Sequence, residues 1–318
     1  MQGVVFAQDA ALADRFFNEA PLQWEAYRKR IEQFHGTVIN KMSVGDRLVN
    51  HMRFEYRSNA SCRLSVEQSL LESDPVGTVS GYNRIYSFSL LRKSENRPWV
   101  VTNYTPRTQE ETSSEVRETN FRFTPLRRLI RAYSVELSEL IRKPTFRLLR
   151  VAAIEHEGDA CMRIEFDNWH ELESNAKDFD PVQSGVLLLD PHRYWCLRGC
   201  ELRTRHSDAV ALIKEEVQLR DPSEKVPVPK RIISVNDQKR STGERLQVET
   251  VMEFDLFEPS RLPRDKEFSL SAFGLPEPLG VSWSRTPWYL WVGLAGILFL
   301  LVGAGFYWLK RRREAAGS

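Results

Sequence analysis

Apolar and polar residues alternate along much of the chain. Met52, Phe54 and Tyr56 alternate with arginine and glutamate, and residues 62–66 repeat the pattern. A period of two places every second side chain on the same face of a strand, so each run predicts a half-buried β-strand. The polar residues 58–61 between the two runs are typical of a turn, and together these segments predict a hairpin.

The same alternation returns further along the chain. Residues 86–90, 162–166 and 246–256 each alternate in this way. Between Asp159 and Phe257 the breaks in the pattern are short and rich in turn residues. Parallel strands need long crossovers, so short breaks predict consecutive antiparallel strands, a meander.

Two segments instead show helical spacing, at 21–35 and 125–143. The first has one apolar stripe and the second has a longer one, beginning at Pro125 and stopped by Pro144. Apolar residues three and four apart share one face of a helix. We expect the second helix to cover a face of the sheet, the alternative being a helix that lies on a membrane. The stripes comprise Trp24, Tyr27, Ile31 and Phe34, and Leu126, Leu129, Ile130, Tyr133, Leu137, Leu140 and Ile141.

Residues 288–309 contain a long uncharged apolar run. About 20 apolar residues are enough for a helix to cross a bilayer, and aromatic residues favour the two membrane interfaces. The run therefore predicts one C-terminal transmembrane helix, the alternative being a buried helix of a globular core. The predicted anchor residues are Trp288, Trp291, Tyr307 and Trp308, followed by Lys310, Arg311, Arg312 and Arg313.

The basic residues after this run predict its orientation. Cytoplasmic flanks carry an excess of lysine and arginine, so the tail 310–318 is expected in the cytoplasm. The chain is then a single-pass protein of a bacterial inner membrane, with a large periplasmic or extracytoplasmic domain and the lipid bilayer as a partner. Residues 1–9 resemble the end of a signal peptide, which favours this orientation. The alternatives are an ordinary N-terminus and a tail-anchored protein with a cytoplasmic domain.

These patterns predict an α+β fold, namely a strongly curved antiparallel sheet forming an incomplete barrel covered by helices, plus the transmembrane helix. The folded domain is expected at 10–258 and a proline-rich spacer at 259–287. Within the spacer, Phe268, Leu270 and Phe273 are too apolar for a plain linker. We expect these three side chains to dock on the folded domain.

Composition narrows the functional classes. The formal net charge is +2, and four basic residues directly follow the apolar run, so the rest of the chain has no basic excess for nucleic acid. Four cysteines in 318 residues do not form a disulfide framework. Free thiols, one disulfide and, least favoured, a metal site remain open for Cys62, Cys161, Cys196 and Cys200.

The sequence contains no local catalytic motif. It has no nucleophile elbow, no phosphate-binding glycine-rich loop, and no paired histidines at metal-binding spacing. We therefore predict no catalytic residue, no metal and no cofactor.

The order of elements resembles the lipoprotein-carrier (Lol-type) superfamily. The likeness rests on the two predicted helices, on Gly185–Pro191 with Trp195, and on the strand introduced by Pro227 and Pro229. The tail resembles that of membrane-anchored proteins from planctomycete-type bacteria. The superfamily implies an apolar cavity between a curved sheet and its helices. A domain fixed by a membrane span could not ferry cargo, so the resemblance implies a stationary binder.

The expected function is non-catalytic binding or presentation of a lipid, a lipoprotein or another apolar ligand by an envelope protein. One alternative is a scaffold or interaction domain that binds envelope proteins. Another is a hydrolase whose catalytic residues lie far apart in sequence. The predicted lining consists of Met52, Phe54, Leu64, Phe88, Leu129, Tyr133, Ile164, Phe166, Met252 and Phe254. The alternative role for these side chains is simple core packing.

Overall fold

The computed structural model describes nine stretches of the chain and a few residues near its end. The chain consists of two compact units, Met1–Leu275 and Pro276–Ser318. The first unit thus includes residues 259–275 of the predicted spacer. The described residues are 7–31, 33–59, 61–71, 76–107, 125–133, 135–168, 182–205, 209–221 and 224–281, with Gly296, Val302, Gly303 and Gly305.

A 13-stranded antiparallel sheet makes up most of the first unit. Its first six strands are β1 (His35–Val44), β2 (Arg47–Ser58), β3 (Arg63–Ser69), β4 (Gly77–Tyr82), β5 (Tyr86–Arg92) and β6 (Val100–Pro106). The other seven are β9 (Arg147–His156), β10 (Asp159–Asp167), β11 (Val182–Asp190), β12 (Cys196–Arg205), β13 (Ala209–Leu219), β14 (Pro229–Arg240) and β15 (Arg245–Phe257). A separate two-stranded sheet pairs β7 (Arg131–Ala132) with β8 (Val135–Glu136).

The large sheet consists of two meanders joined side by side. Strands β1–β6 pair in sequence order, as do β9–β15. The first strand then pairs antiparallel with the last, with Val38 opposite Phe254. The predicted hairpin at 58–61 is confirmed, since β2 pairs with β3 from Met52 opposite Ser69 to Ser58 opposite Arg63. The predicted meander after Asp159 is confirmed as well.

The predicted α+β class is wrong. The structure is mostly antiparallel sheet, and its described residues contain two α-helices, α1 (Ala7–Ile31) and α2 (Leu137–Leu140). Short 3-10 helices occur at Pro125–Ile130, Asp265–Phe268 and Leu270–Phe273. With so few helical residues, the core rests mainly on the sheet.

The predicted helix at 21–35 is longer and earlier in the structure. Helix α1 starts at Ala7 and continues through Pro21, which removes one backbone donor without ending the helix. It ends at Ile31, whose carbonyl accepts a hydrogen bond from the Phe34 amide at 3.2 Å. His35 then begins β1, so the last residue of the predicted helix belongs to a strand.

The predicted helix at 125–143 is wrong. A 3-10 turn, the β7–β8 pair and the single turn α2 occupy the segment, and Tyr133 has a φ of 56°. Arg127 of this segment is buried and Arg128 is half-buried. The Arg127 guanidinium lies 3.6 Å from the Glu136 carboxylate, and the Arg128 guanidinium lies 2.9 Å from Glu215 on β13. These tertiary ion pairs outweigh the local helical preference.

The predicted transmembrane helix also needs correction. Within the part of the chain that the structure describes, no helix has the length and apolar character needed to cross a membrane. This finding overturns the transmembrane helix of the predicted fold and the single-pass description. Most of 288–309, with its four aromatic anchors, and the basic tail 310–318 lie outside the described residues.

The main core lies between α1, the 125–141 segment and the second meander. Phe16, Trp24 and Tyr27 of α1 are buried there. The Trp24 indole N–H donates to the Trp195 carbonyl at 2.9 Å, and the Tyr27 hydroxyl donates to the Pro227 carbonyl at 3.0 Å. These bonds satisfy the polar ends of two large aromatic side chains, which allows their full burial.

Candidate functional site

The ten predicted pocket residues are distributed over three places. Seven belong to or pack against the main core: Phe54, Leu129, Tyr133, Ile164, Phe166, Met252 and Phe254. Leu64 and Phe88 meet beside Gly81, where an added Cβ would lie 2.5 Å from the Phe88 ring. Met52 lies on β2 opposite Asn40 and Ser69. None of the ten lines either of the two surface cavities discussed below.

The more informative feature is the segment Arg261–Leu275, called here the C-terminal strap. The docking predicted for its apolar residues is confirmed. Phe268 and Leu270 are buried, and the Phe273 ring lies 6.1 Å from Phe88 and 5.8 Å from Trp99. The strap is therefore part of the first compact unit and covers one end of the first meander.

Two asparagines bind the strap in the same way. Asn59, in the β2–β3 turn, accepts hydrogen bonds from the Ser61 and Cys62 amides, and its amide group donates to the Pro263 carbonyl at 3.1 Å. The side-chain oxygen of Asn59 thus closes the β2–β3 turn, while its side-chain nitrogen binds the strap. Short polar side chains of this kind stabilise turns by bonding to nearby backbone amides.

Asn83 repeats the arrangement in the β4–β5 turn. Its side-chain oxygen accepts from the Ile85 and Tyr86 amides at 2.9 and 3.0 Å, and its amide group donates to the Phe268 carbonyl at 3.0 Å. The Tyr86 hydroxyl accepts a further hydrogen bond from the Leu270 amide at 2.9 Å. Two neighbouring hairpins therefore recognise the strap through its backbone.

Asp265 adds a charged contact between the strap and the same turns. Its carboxylate lies 3.2 Å from the Arg84 guanidinium and 3.5 Å from the Cys62 sulfur. Burial, followed by the neighbouring Asp265 carboxylate, raises the pKa of the Cys62 thiol to about 12. Cys62 is therefore a neutral thiol at physiological pH. All four cysteines are buried and free, so of the three predicted states the structure has free thiols.

A groove of about 700 Å³ lies between the strap and the adjoining ends of β1 and β2. This volume is within the usual range for small-molecule sites, roughly 300 to 1,000 Å³. Its wall combines basic side chains with a few apolar ones. The lining residues are His35, Arg57, Arg261, Leu262, Pro263, Arg264, Lys266, Glu267, Ser271 and Ala272.

The groove carries an excess of positive charge. Arg57 is paired with Glu55, but Arg261, Arg264 and Lys266 form no ion pair with any carboxylate in the described stretches. Glu267 contributes the single acidic side chain of the lining, and its carboxylate accepts the Arg264 backbone amide at 3.0 Å. All three unpaired cations are solvent-exposed, so a bound anion can reach them.

His35 closes one side of the groove. Its Nε2 lies 2.7 Å from the Ser58 carbonyl oxygen and 3.3 Å from the Ser58 backbone nitrogen, so this ring nitrogen is engaged with the backbone of Ser58. The Ser58 hydroxyl in turn donates to the Phe34 carbonyl at 3.2 Å. Both polar groups are therefore used to join β1 to β2 and are not arranged as a nucleophile and its base.

A second cavity, of about 400 Å³, lies on the sheet surface around Gly199. Its arginines and its lysine already have acidic partners. Arg198 contacts Asp159 at 2.6 Å, and Lys214 contacts Glu201 at 3.0 Å. No group of three or more His, Cys, Asp or Glu residues that could hold a metal occurs among the described side chains. The basic groove is thus the stronger candidate for a ligand site.

Comparison with known proteins gives no match, either to a protein-family model or to a curated protein sequence. The resemblance to lipoprotein carriers therefore has no family support. What can be concluded about function comes from the geometry of the groove.

Sequence reasoning missed this groove although a signal was present. Three basic residues occur between Arg261 and Lys266, in a segment interpreted as a spacer. Their clustering beside the apolar triplet that docks on the sheet indicates cations held at a fixed surface. Arg57 and His35 carry no comparable signal, since they reach the groove only through the pairing of β1 with β2.

Proposed function

We propose that the protein is a non-catalytic binding protein that takes an anionic ligand in the basic groove. The observation that carries the proposal is the concentration of Arg261, Arg264 and Lys266, without acidic partners among the described residues, around one groove of about 700 Å³. The apolar residues predicted from the sequence to line a pocket do not indicate a ligand site, because most of them are core residues.

Electrostatics gives the expected strength of this effect. Two unit charges 4 Å apart attract by about 1 kcal/mol in water, and by more where solvent is partly excluded. An exposed ion pair contributes up to about 1 kcal/mol, so three cations around one anionic group contribute at most about 3 kcal/mol, which is about a hundredfold in affinity. Salt screens charges at such exposed positions, so binding should weaken as ionic strength rises.

The groove supports binding more than catalysis. Its ionisable groups other than the cations are Glu267 and His35. The Glu267 carboxylate accepts a hydrogen bond from the Arg264 backbone amide, and Nε2 of His35 is engaged with the backbone of Ser58. Neither is hydrogen-bonded to a serine, threonine or cysteine side chain among the described residues, as the base of an activated nucleophile would be.

The test is isothermal titration calorimetry with a panel of small anions: inorganic phosphate, pyrophosphate, citrate and benzoate. We expect at least one to bind. We also expect the triple variant Arg261→Gln, Arg264→Gln, Lys266→Gln to bind it more than tenfold more weakly. Absence of binding by every anion at low salt would refute the proposal.

A matched control removes the same number of positive charges far from the groove. Arg47, Lys239 and Arg245 are exposed and lie at the far hairpin ends of the strands that begin or finish near the groove. At about 3.3 Å per residue, the length of β1 separates the two ends by roughly 30 Å. Changing these three to glutamine should leave anion affinity within twofold of the wild type. An equal loss in both triple variants would mean that net charge, and not the groove, attracts the anion.

A further inference from the structure

We infer that the anion taken by the groove is an organic phosphate, meaning a phosphate group carried on an organic body. This inference rests on the proposed anion-binding function and specifies its ligand. Three features of the groove support it: the number and kind of its cations, the origin of these cations in two elements, and the space left beside them.

The groove is lined by more cationic side chains than one carboxylate group can bind. Three of the four cations that line the groove are arginines. Arg261, Arg264 and Lys266 belong to the strap, whereas Arg57, which is already paired with Glu55, belongs to β2. Guanidinium groups bind phosphate oxygens in pairs, with a geometric match that an ammonium group lacks. A phosphate monoester carries about −1.5 to −2 charges at neutral pH on three oxygens, whereas a carboxylate carries one charge on two. The groove fits the more highly charged group.

The space exceeds that of inorganic phosphate alone. A cavity of about 700 Å³ leaves most of its volume empty once a small oxyanion is seated. Leu262, Pro263 and Ala272 supply an apolar wall beside the cations. Such a wall gains free energy only from a ligand that brings apolar surface out of water. An organic group attached to the phosphate meets this condition.

Glu267 and Ser271 provide the remaining polar contacts. The Glu267 carboxylate opposes a second anionic group on its side of the groove, so the charge of the ligand should be confined to one end. The same carboxylate can accept a hydrogen bond from a ligand hydroxyl. The Ser271 hydroxyl already shares a hydrogen bond with Ser269 at 2.8 Å, which orients it. The ligand thus has one anionic end and one neutral end.

Phenyl phosphate, inorganic phosphate and benzoate form a matched set of probes for this inference. Phenyl phosphate should bind at least tenfold more tightly than benzoate, which has the ring without the phosphate, and more tightly than inorganic phosphate, which lacks the ring. Arg57→Gln should weaken phenyl phosphate binding at least threefold, whereas Arg47→Gln should not change it. The melting temperature of each variant establishes that it is folded.

The outcomes separate the two levels of the proposal. Benzoate that binds as tightly as phenyl phosphate would overturn the phosphate assignment while leaving anion binding intact. If no anion in the set binds, the proposed function itself fails. A phosphate group could come from a soluble metabolite or a lipid headgroup. Co-sedimentation with phosphatidylcholine vesicles, with and without phosphatidic acid, distinguishes them, because only a headgroup ligand makes sedimentation depend on phosphatidic acid and on Arg57.

Discussion

Replacing Asn83 by alanine tests whether the strap is held by the hairpin turns. The side chain of Asn83 is fully buried and forms three hydrogen bonds. Two close its own turn, and the third reaches the Phe268 carbonyl on the strap. Alanine keeps the backbone but removes all three bonds at once, so the change affects strap and turn together without touching the groove.

The expected loss follows from these bonds. A hydrogen bond contributes about 1 kcal/mol net, with more lost where a buried partner is left unsatisfied. The Ile85 and Tyr86 amides and the Phe268 carbonyl all lose their partner in this variant. Because the site is closed to water, the sum is about 3 kcal/mol of unfolding free energy, with a larger effect on local opening of the strap.

Urea denaturation measures the global loss, and hydrogen exchange detected by mass spectrometry measures the local one. The Leu270 amide, which donates to the Tyr86 hydroxyl, should exchange at least tenfold faster in the variant. Since the strap carries three of the groove cations, anion affinity should fall as well. Asn103→Ala, an exposed asparagine on the edge strand β6, is the matched control and should change neither quantity.

The reasoning fails if Asn83→Ala loses less than about 0.5 kcal/mol, well below the range for three buried bonds. It also fails if the backbone amides of the strap exchange hydrogen as slowly in the variant as in the wild type. In either case the apolar contacts of Phe268 and Leu270 alone would hold the strap. The asparagine turns would then be a consequence of docking and not its cause.

Two further predictions concern the core and the buried thiol. Trp24→Phe removes the donor to the Trp195 carbonyl and should lower the unfolding free energy by about 1–3 kcal/mol in urea denaturation. Phe17, half-exposed on the same helix, provides the control. The unfolding free energy of Phe17→Leu should stay within about 1 kcal/mol of the wild type. Because the pKa of Cys62 is raised to about 12 from an ordinary value of 9.0, the unfolded thiol ionises first as pH rises. Stability should therefore be constant below about pH 9 and fall by about 1.4 kcal/mol at pH 10 relative to Cys62→Ala; equal pH dependence in both proteins would contradict this.

Most of the sheet could be predicted because its signal is local. A half-buried strand repeats its pattern every two residues, so Met52, Phe54 and Tyr56 reveal β2 without knowledge of its neighbours. Short turns then fix the partner of each strand. The pairing of β1 with β15 could not be predicted in this way, since it joins residues separated by more than 200 positions and leaves no local pattern.

The segment 125–143 shows where local spacing misleads. Its apolar residues do face the core, and Leu129, Leu137 and Leu140 are fully buried. Helical spacing does not reveal that Arg127 and Arg128 find acidic partners at Glu136 and on β13. Burying an arginine without a partner is costly, so the chain adopts the irregular path that supplies one. For the same reason the groove could not be predicted, because its lining combines residues of β1, β2 and the strap that lie far apart in sequence.

The strap joins stability to binding in one element. Its apolar side chains and backbone are held by the sheet, which fixes the positions of Arg261, Arg264 and Lys266 beside Arg57. Like charges held close together repel one another, and a bound anion removes that repulsion. Anion binding must therefore stabilise the docked strap by the same free energy with which docking favours binding, since linkage is reciprocal. Exchange of the Leu270 amide should consequently slow as the groove is filled, and unchanged exchange at saturating phenyl phosphate would show that the ligand binds elsewhere.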